Sequence, residues 1–144
     1  MNSKHLIQSI LILDLLNIDN SKMWQLFANR ALFLLHKYTA RDLAMLMRLY
    51  DKDFVDSNGE VLPMVRKLPD AKFFERITAI LPMHVPMLRD HEVVDVVEIL
   101  TKKNLGSERF WNNYLLLRVE RNVLKFKLHD YIRVIRALAD KQYY

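Results

Sequence analysis

The chain has 144 residues, enough for one domain that buries roughly two thirds of its unfolded surface. Two glycines and four prolines leave too few turn formers for a hairpin-rich β fold or a Rossmann loop, and the absence of cysteine excludes disulfides, thiolate metal sites and iron–sulfur clusters. The formal charge of +5 is unevenly spread: from Lys102 to Tyr144 ten Lys or Arg stand against four Asp or Glu, a net of +6, which leaves −1 for residues 1–101.

Apolar spacing at three, four and seven residues predicts seven helices. The first covers 3–17. Its apolar run is interrupted by Gln8, Ser9 and Asp14 and falls short of the roughly 20 residues of a bilayer span, so no transmembrane segment is expected. It has neither the basic start and small-residue cleavage site of a secretory signal nor the Arg-rich, acid-poor character of a transit peptide, and an intracellular protein is expected. The second helix covers 21–36 with Ser21 as its cap, and the third covers 40–51 behind a Thr39/Asp42 capping pair. Segment 53–70, with Asp56-Ser57-Asn58-Gly59, Pro63 and Pro69, reads as a loop insertion with room for one short helix. The remaining helices are predicted at 71–81 behind Asp70, 91–103 behind Asp90 and Glu92, 108–124 behind Ser107 and Glu108, and 129–142.

The later helices read as copies of one unit. Phe73-Phe74 recurs as Phe110-Trp111 at a spacing of 37, and Val93-Val94 through Leu100 recurs as Tyr131-Ile132 through Leu138 at a spacing of 38. One inserted residue reconciles the two offsets. A weaker copy begins at Met23-Trp24 and has Leu43, Leu46 and Leu49 in its second helix. Two helices per period in the high thirties predict an all-α fold of stacked antiparallel helical hairpins, a short α-solenoid of about seven helices. Residues 1–144 form one helical-repeat domain in this reading, with its clearest repeats at 71–105 and 107–144.

An aromatic-led helix, a polar turn and an aliphatic helix ending in a basic tail are carried by Phe73-Phe74 through Leu81, Glu92 to Leu105, Phe110-Trp111 through Val123 and Asp130 to Leu138. This pattern resembles the heptatricopeptide-like helical repeats of FAST-kinase-type mitochondrial proteins. The resemblance implies a mitochondrial location and a role in organelle RNA metabolism, as a component of a ribonucleoprotein such as a mitochondrial ribosome. No terminal RNA-associated RAP-type domain accompanies the repeats, which argues against a nuclease-like role.

No catalytic constellation is visible, and no enzyme activity, cofactor, metal or small-molecule substrate is expected. Glycine occurs only at 59 and 106, so neither a Walker loop nor a dinucleotide fingerprint exists. His5, His36, His84, His91 and His129 include no pair at i and i+4, the spacing that turns two imidazoles to one metal. Phe73-Phe74 and Phe110-Trp111 are read as core residues ahead of base-stacking platforms. Arg118, Arg121 and Lys125, at i, i+3 and i+7, are expected on one face; Lys127 extends the line, and Arg133 and Arg136 form a second pair. Such a stripe suits RNA phosphates read without regard to sequence; its alternative is a solvated face, with Asp130 and Asp140 spaced to neutralise part of the Arg133 and Arg136 pair. The competing reading is a protein-only scaffold or accessory subunit of a mitochondrial respiratory or ATP synthase complex, docked on other subunits through apolar stack ends.

Overall fold

A computed structural model describes residues 2–18, 20–51 and 72–140, together with the backbone of 54–55 and 61–62. Seven helices run through the described residues: α1 (Ser3–Leu15), α2 (Ser21–Phe33), α3 (Ala40–Asp51), α4 (Lys72–Ile80), α5 (Asp90–Lys103), α6 (108–122) and α7 (Leu128–Asp140). The protein is all-α. Among the described residues the departure lies in the segment read as a loop, where β1 (Phe54–Val55) and β2 (Val61–Leu62) pair antiparallel, Phe54 opposite Leu62. Aromatic and β-branched residues on both sides of Asn58-Gly59 favour such a pairing. The rest of that insertion and the Asp70 cap lie outside the described residues.

The helix ends follow local chemistry. Asn2 Oδ1 accepts from His5 N at 2.9 Å to open α1. The cap of α2 is Asn20, not Ser21: its Oδ1 accepts from Met23 N at 3.2 Å, and Ser21 is the first helical residue. Thr39 and Asp42 form the expected reciprocal pair, each backbone N–H donating to the other's side chain at 3.2 Å. Asp90 is likewise the first residue of α5 rather than its cap, and Glu92 Oε1 accepts from Arg89 N at 2.8 Å. Pro82 and Pro86 end α4 in two successive 3₁₀ turns, Leu81–Met83 and Val85–Met87.

The second helices form a row. α3 packs against α1 and α5, and α5 also packs against α7; α2 lies against α4, and α6 lies against α5. The passage into each of α3, α5 and α7 is built alike: a 3₁₀ turn at Leu35–Lys37, Val85–Met87 or Val123–Lys125, then an extended residue, Tyr38, Leu88 or Phe126. Two residues beyond the start of each helix stands an acid, Asp42, Glu92 or Asp130. Residues aligned on these turns have matching burial, as in Leu46, Val96 and Val134, or Tyr50, Leu100 and Leu138.

A second junction joins α1 to α2 and α5 to α6. Asn17 and Asn104 both take φ 54°, the left-handed conformation that asparagine tolerates. The next residue's N–H reaches back five positions, Ile18 to Leu13 O and Leu105 to Leu100 O, closing a Schellman turn. Seven residues past each asparagine a fully buried tryptophan donates Nε1 to the carbonyl just after that asparagine: Trp24 to Ile18 O and Trp111 to Leu105 O, both at 2.9 Å. Asn20 and Ser107 are the equivalent caps. Gly106, at φ +93°, lies so close to the second tryptophan that a Cβ there would come within 2.8 Å of its Nε1.

The extra residue in the last unit sits inside α6. This helix is α-helical at Glu108–Phe110, π-helical at Trp111–Leu115 and α-helical again at Leu116–Asn122. Before the wide turn the last unit matches its predecessor at a spacing of 37, and after it at 38. Phe73, Phe74, Phe110 and Trp111 are all buried and offer no face to a base. Trp24, Tyr50, Phe73 and Phe74 form a run of aromatic contacts with ring centroids 4.9–5.4 Å apart. Tyr50 Oη donates to Trp24 O at 2.6 Å, so the run ties α2, α3 and α4 together across the insertion.

Candidate interaction surface

The six basic residues singled out in the last unit separate into two groups. Arg118 is mostly covered: its Nη2 donates to Leu88 O at 2.6 Å and its Nη1 stands 3.6 Å from Asp90 Oδ1. It stitches α6 to the turn before α5. Arg133 is held by three carboxylates, Glu98, Asp95 at 2.7 Å and Asp130 at 3.3 Å, and the hydrogen bond to Glu98 raises its already high pKa further. It stitches α7 to α5. Arg121, Lys125, Lys127 and Arg136 are exposed, with no ion pair among the described residues.

Arg118 and Arg121 both lie in the regular turns Leu116–Asn122 beyond the wide turn, so their i, i+3 spacing holds; they differ in what each meets, Leu88 and Asp90 for Arg118 and open surface for Arg121. Helical counting from the aromatic pair is out of phase by one residue beyond 115. Aligned on the 3₁₀ turns, Arg118 corresponds to Ile80, a partly buried core neighbour. Arg121 corresponds to Phe33 and Met83, which are 75% and 79% exposed; Lys125 corresponds to Lys37 and Met87.

The apolar stack ends expected from the sequence are present, although the sequence did not single out the residues in the last hairpin that form them. Leu124 and Leu128 are 97% and 76% exposed, and Leu117, Tyr131 and Ile132 are exposed as well. At the other end Leu15, Leu16 and Leu26 are open. Between α3, α5 and α7 runs an open groove of about 730 Å³, lined by Arg48, Asp95, Glu98, Lys102, Arg133 and Arg136 among others. Its charges largely satisfy one another, with Lys102 Nζ 3.3 Å from Asp51 and Arg133 clamped as above. A smaller groove of about 370 Å³ holds Lys125, Lys127 and His129 beside Asp90 and Asp130. Among the described residues no three His, Asp or Glu side chains gather as a metal site, and no helix is long and apolar enough to cross a membrane.

Comparison of the chain with protein families, curated proteins and solved structures gives no match.

Proposed function

We propose that this protein is a non-enzymatic interaction module: a short helical-repeat stack, read as an α-solenoid, that holds neighbouring subunits in a larger assembly. The observation that carries this reading is the exposed apolar surface at both ends of the helix row, where a monomer would need polar caps. Its mitochondrial setting, whether a ribosome or a respiratory or ATP synthase complex, follows from the heptatricopeptide-like resemblance alone. Purification of the tagged full chain with and without ribonuclease tests the module. The expected result is a defined set of subunits whose recovery survives ribonuclease; recovery of the chain alone in both conditions refutes it.

RNA contact is the second reading, supported by Arg121, Lys125 and Lys127, which are exposed without acidic partners among the described residues. Arg118 and Arg133 are left out of it because their guanidinium groups already bind protein acceptors. Replacing Arg121, Lys125 and Lys127 with Gln is expected to flatten the salt dependence of RNA binding by up to about three units of slope. An unchanged slope refutes RNA contact at this site.

A further inference from the structure

The repeat shows what covers an equivalent surface elsewhere in the same molecule. Aligned on their starts, Leu43, Ala44 and Met47 of α3 correspond to Val93, Val94 and Val97 of α5 and to Tyr131, Ile132 and Ile135 of α7. All six positions in α3 and α5 are buried. In α7 Tyr131 and Ile132 are 41% and 45% exposed, and Ile135 is only half-buried. The difference is one of neighbours: among the described residues α3 and α5 each have a second helix on both sides, whereas α7 packs on α5 alone in that row.

α7 is therefore apolar on two faces. Val134, Ala137 and Leu138 are buried. Roughly a third of a turn away, Leu128, Tyr131, Ile132 and Ile135 stand at i, i+3, i+4 and i+7, the spacing of a seam that receives another helix. Arg121, Lys125 and Lys127 cluster in sequence around the α6–α7 turn, between and beside Leu117, Leu124 and Leu128. That basic rim selects the charge of whatever lies there, since complementary charge steers encounter and like charge repels. Among the described residues the chain's other end shows no matching acidic rim: Asp14 is partly buried, whereas Lys4 and His5 are exposed. A second copy is thus the poorer fit.

We propose that the outer face of α7, together with the α6–α7 turn, docks an acid-flanked amphipathic helix of another protein, seated on α7 as α7 is seated on α5. This rests on the module reading and adds to it the site and the chemistry of the partner. Two synthetic helical peptides of equal length test it, each with Leu at i, i+3, i+4 and i+7, one flanked by Glu and the other by Lys. They are titrated against the full chain by fluorescence anisotropy. The Glu-flanked peptide is expected to bind about tenfold tighter than the Lys-flanked one, with affinity falling as salt rises.

Leu128→Asp with Ile132→Asp is expected to abolish that binding, and Leu15→Asp with Leu26→Asp to leave it intact. Replacing Arg121, Lys125 and Lys127 with Gln touches no buried residue; it is expected to bring the two peptides within about twofold of each other. Equal affinity for both peptides, or no binding of either, overturns the proposal. Binding lost only through the Leu15 and Leu26 changes overturns it while leaving the module reading standing. Self-association in sedimentation that Leu128→Asp abolishes overturns it in favour of a second copy. Displacement of the Glu-flanked peptide by a poly-uridine oligomer, with no effect of the Asp substitutions, overturns it in favour of RNA.

Discussion

Replacing Gly106 with Ala should be among the most damaging single-atom additions to this protein. At φ +93° an L-residue pays for backbone strain, about 1–2 kcal/mol for the left-handed side of the map. The new methyl would also stand 2.8 Å from Trp111 Nε1, 3.2 Å from its Cδ1 and 3.3 Å from Phe110 Cδ1. The indole cannot retreat freely, because it is fully buried and its N–H is committed to Leu105 O. Overpacking of this kind costs about 1–3 kcal/mol, for a total near 3 kcal/mol. At this chain length that is a fall in Tm of about 6–12 °C, read by circular dichroism at the helix minimum. A cycle with Trp111→Phe separates the two parts: the smaller ring should reduce the Gly106→Ala penalty by at least about 1 kcal/mol. A penalty below about 0.5 kcal/mol, or the same penalty in both backgrounds, would refute the lock between Gly106 and Trp111.

Three further outcomes follow from the same structure. The Tyr38 hydroxyl is buried without a hydrogen-bond partner, and burial, reinforced by Asp42, pushes its pKa from 10.0 up to about 12. The folded state favours the neutral phenol, so this contribution is complete below pH 10 and lost as pH rises from 10 to 12. Tyr38→Phe should therefore flatten the alkaline fall in urea midpoint and cost nothing, or gain up to about 1 kcal/mol, at neutral pH. Arg133→Met strips Asp130 and Asp95 of a shared partner and should cost about 1–3 kcal/mol in urea unfolding, the lower part reflecting that Arg133 is one third exposed; a neutral effect would mean that the clamp is incidental. Asn20→Ala and Ser107→Ala should each cost about 1 kcal/mol, and a large inequality between them would deny the equivalence of the two junctions.

Helix class and number were legible because glycine is scarce and apolar spacing is helical along most of the chain. The ends were less so: adjacent Asn20 and Ser21 are both good caps, and only the backbone angles distinguish them. The likeness of the α1–α2 and α5–α6 junctions, Asn17 to Trp24 and Asn104 to Trp111, escaped notice for a physical reason. It spans 87 residues and crosses the insertion between α3 and α4, which carries no copy of the unit. The candidate surface was half legible. Charge asymmetry located it in the last hairpin, but whether an arginine meets water or, like Arg118, the Leu88 carbonyl depends on what packs beside it. The phase of α6 itself is set by a turn whose sequence, Trp111 to Leu115, carries no helix breaker to announce it. Exposure of Leu124 and Leu128 was hidden for a different reason: apolar spacing marks a face that prefers to be covered without saying whether a neighbour covers it.

The wide turn in α6 also says where this architecture can change length. A one-codon insertion in a straight helix would normally turn everything beyond it by a full residue's rotation and misdirect a whole face. Here the added residue is absorbed within a single turn whose Asn112, Asn113 and Tyr114 all point outward, so Trp111 keeps its lock on one side and Val119 its buried place on the other. Deleting Asn112 or Asn113 would ask the segment to close into an ordinary turn and force a choice between the tryptophan lock and the Arg118 stitch. The extra residue is thus accommodated in one solvent-facing stretch of α6, while the row of α3, α5 and α7 stays in register.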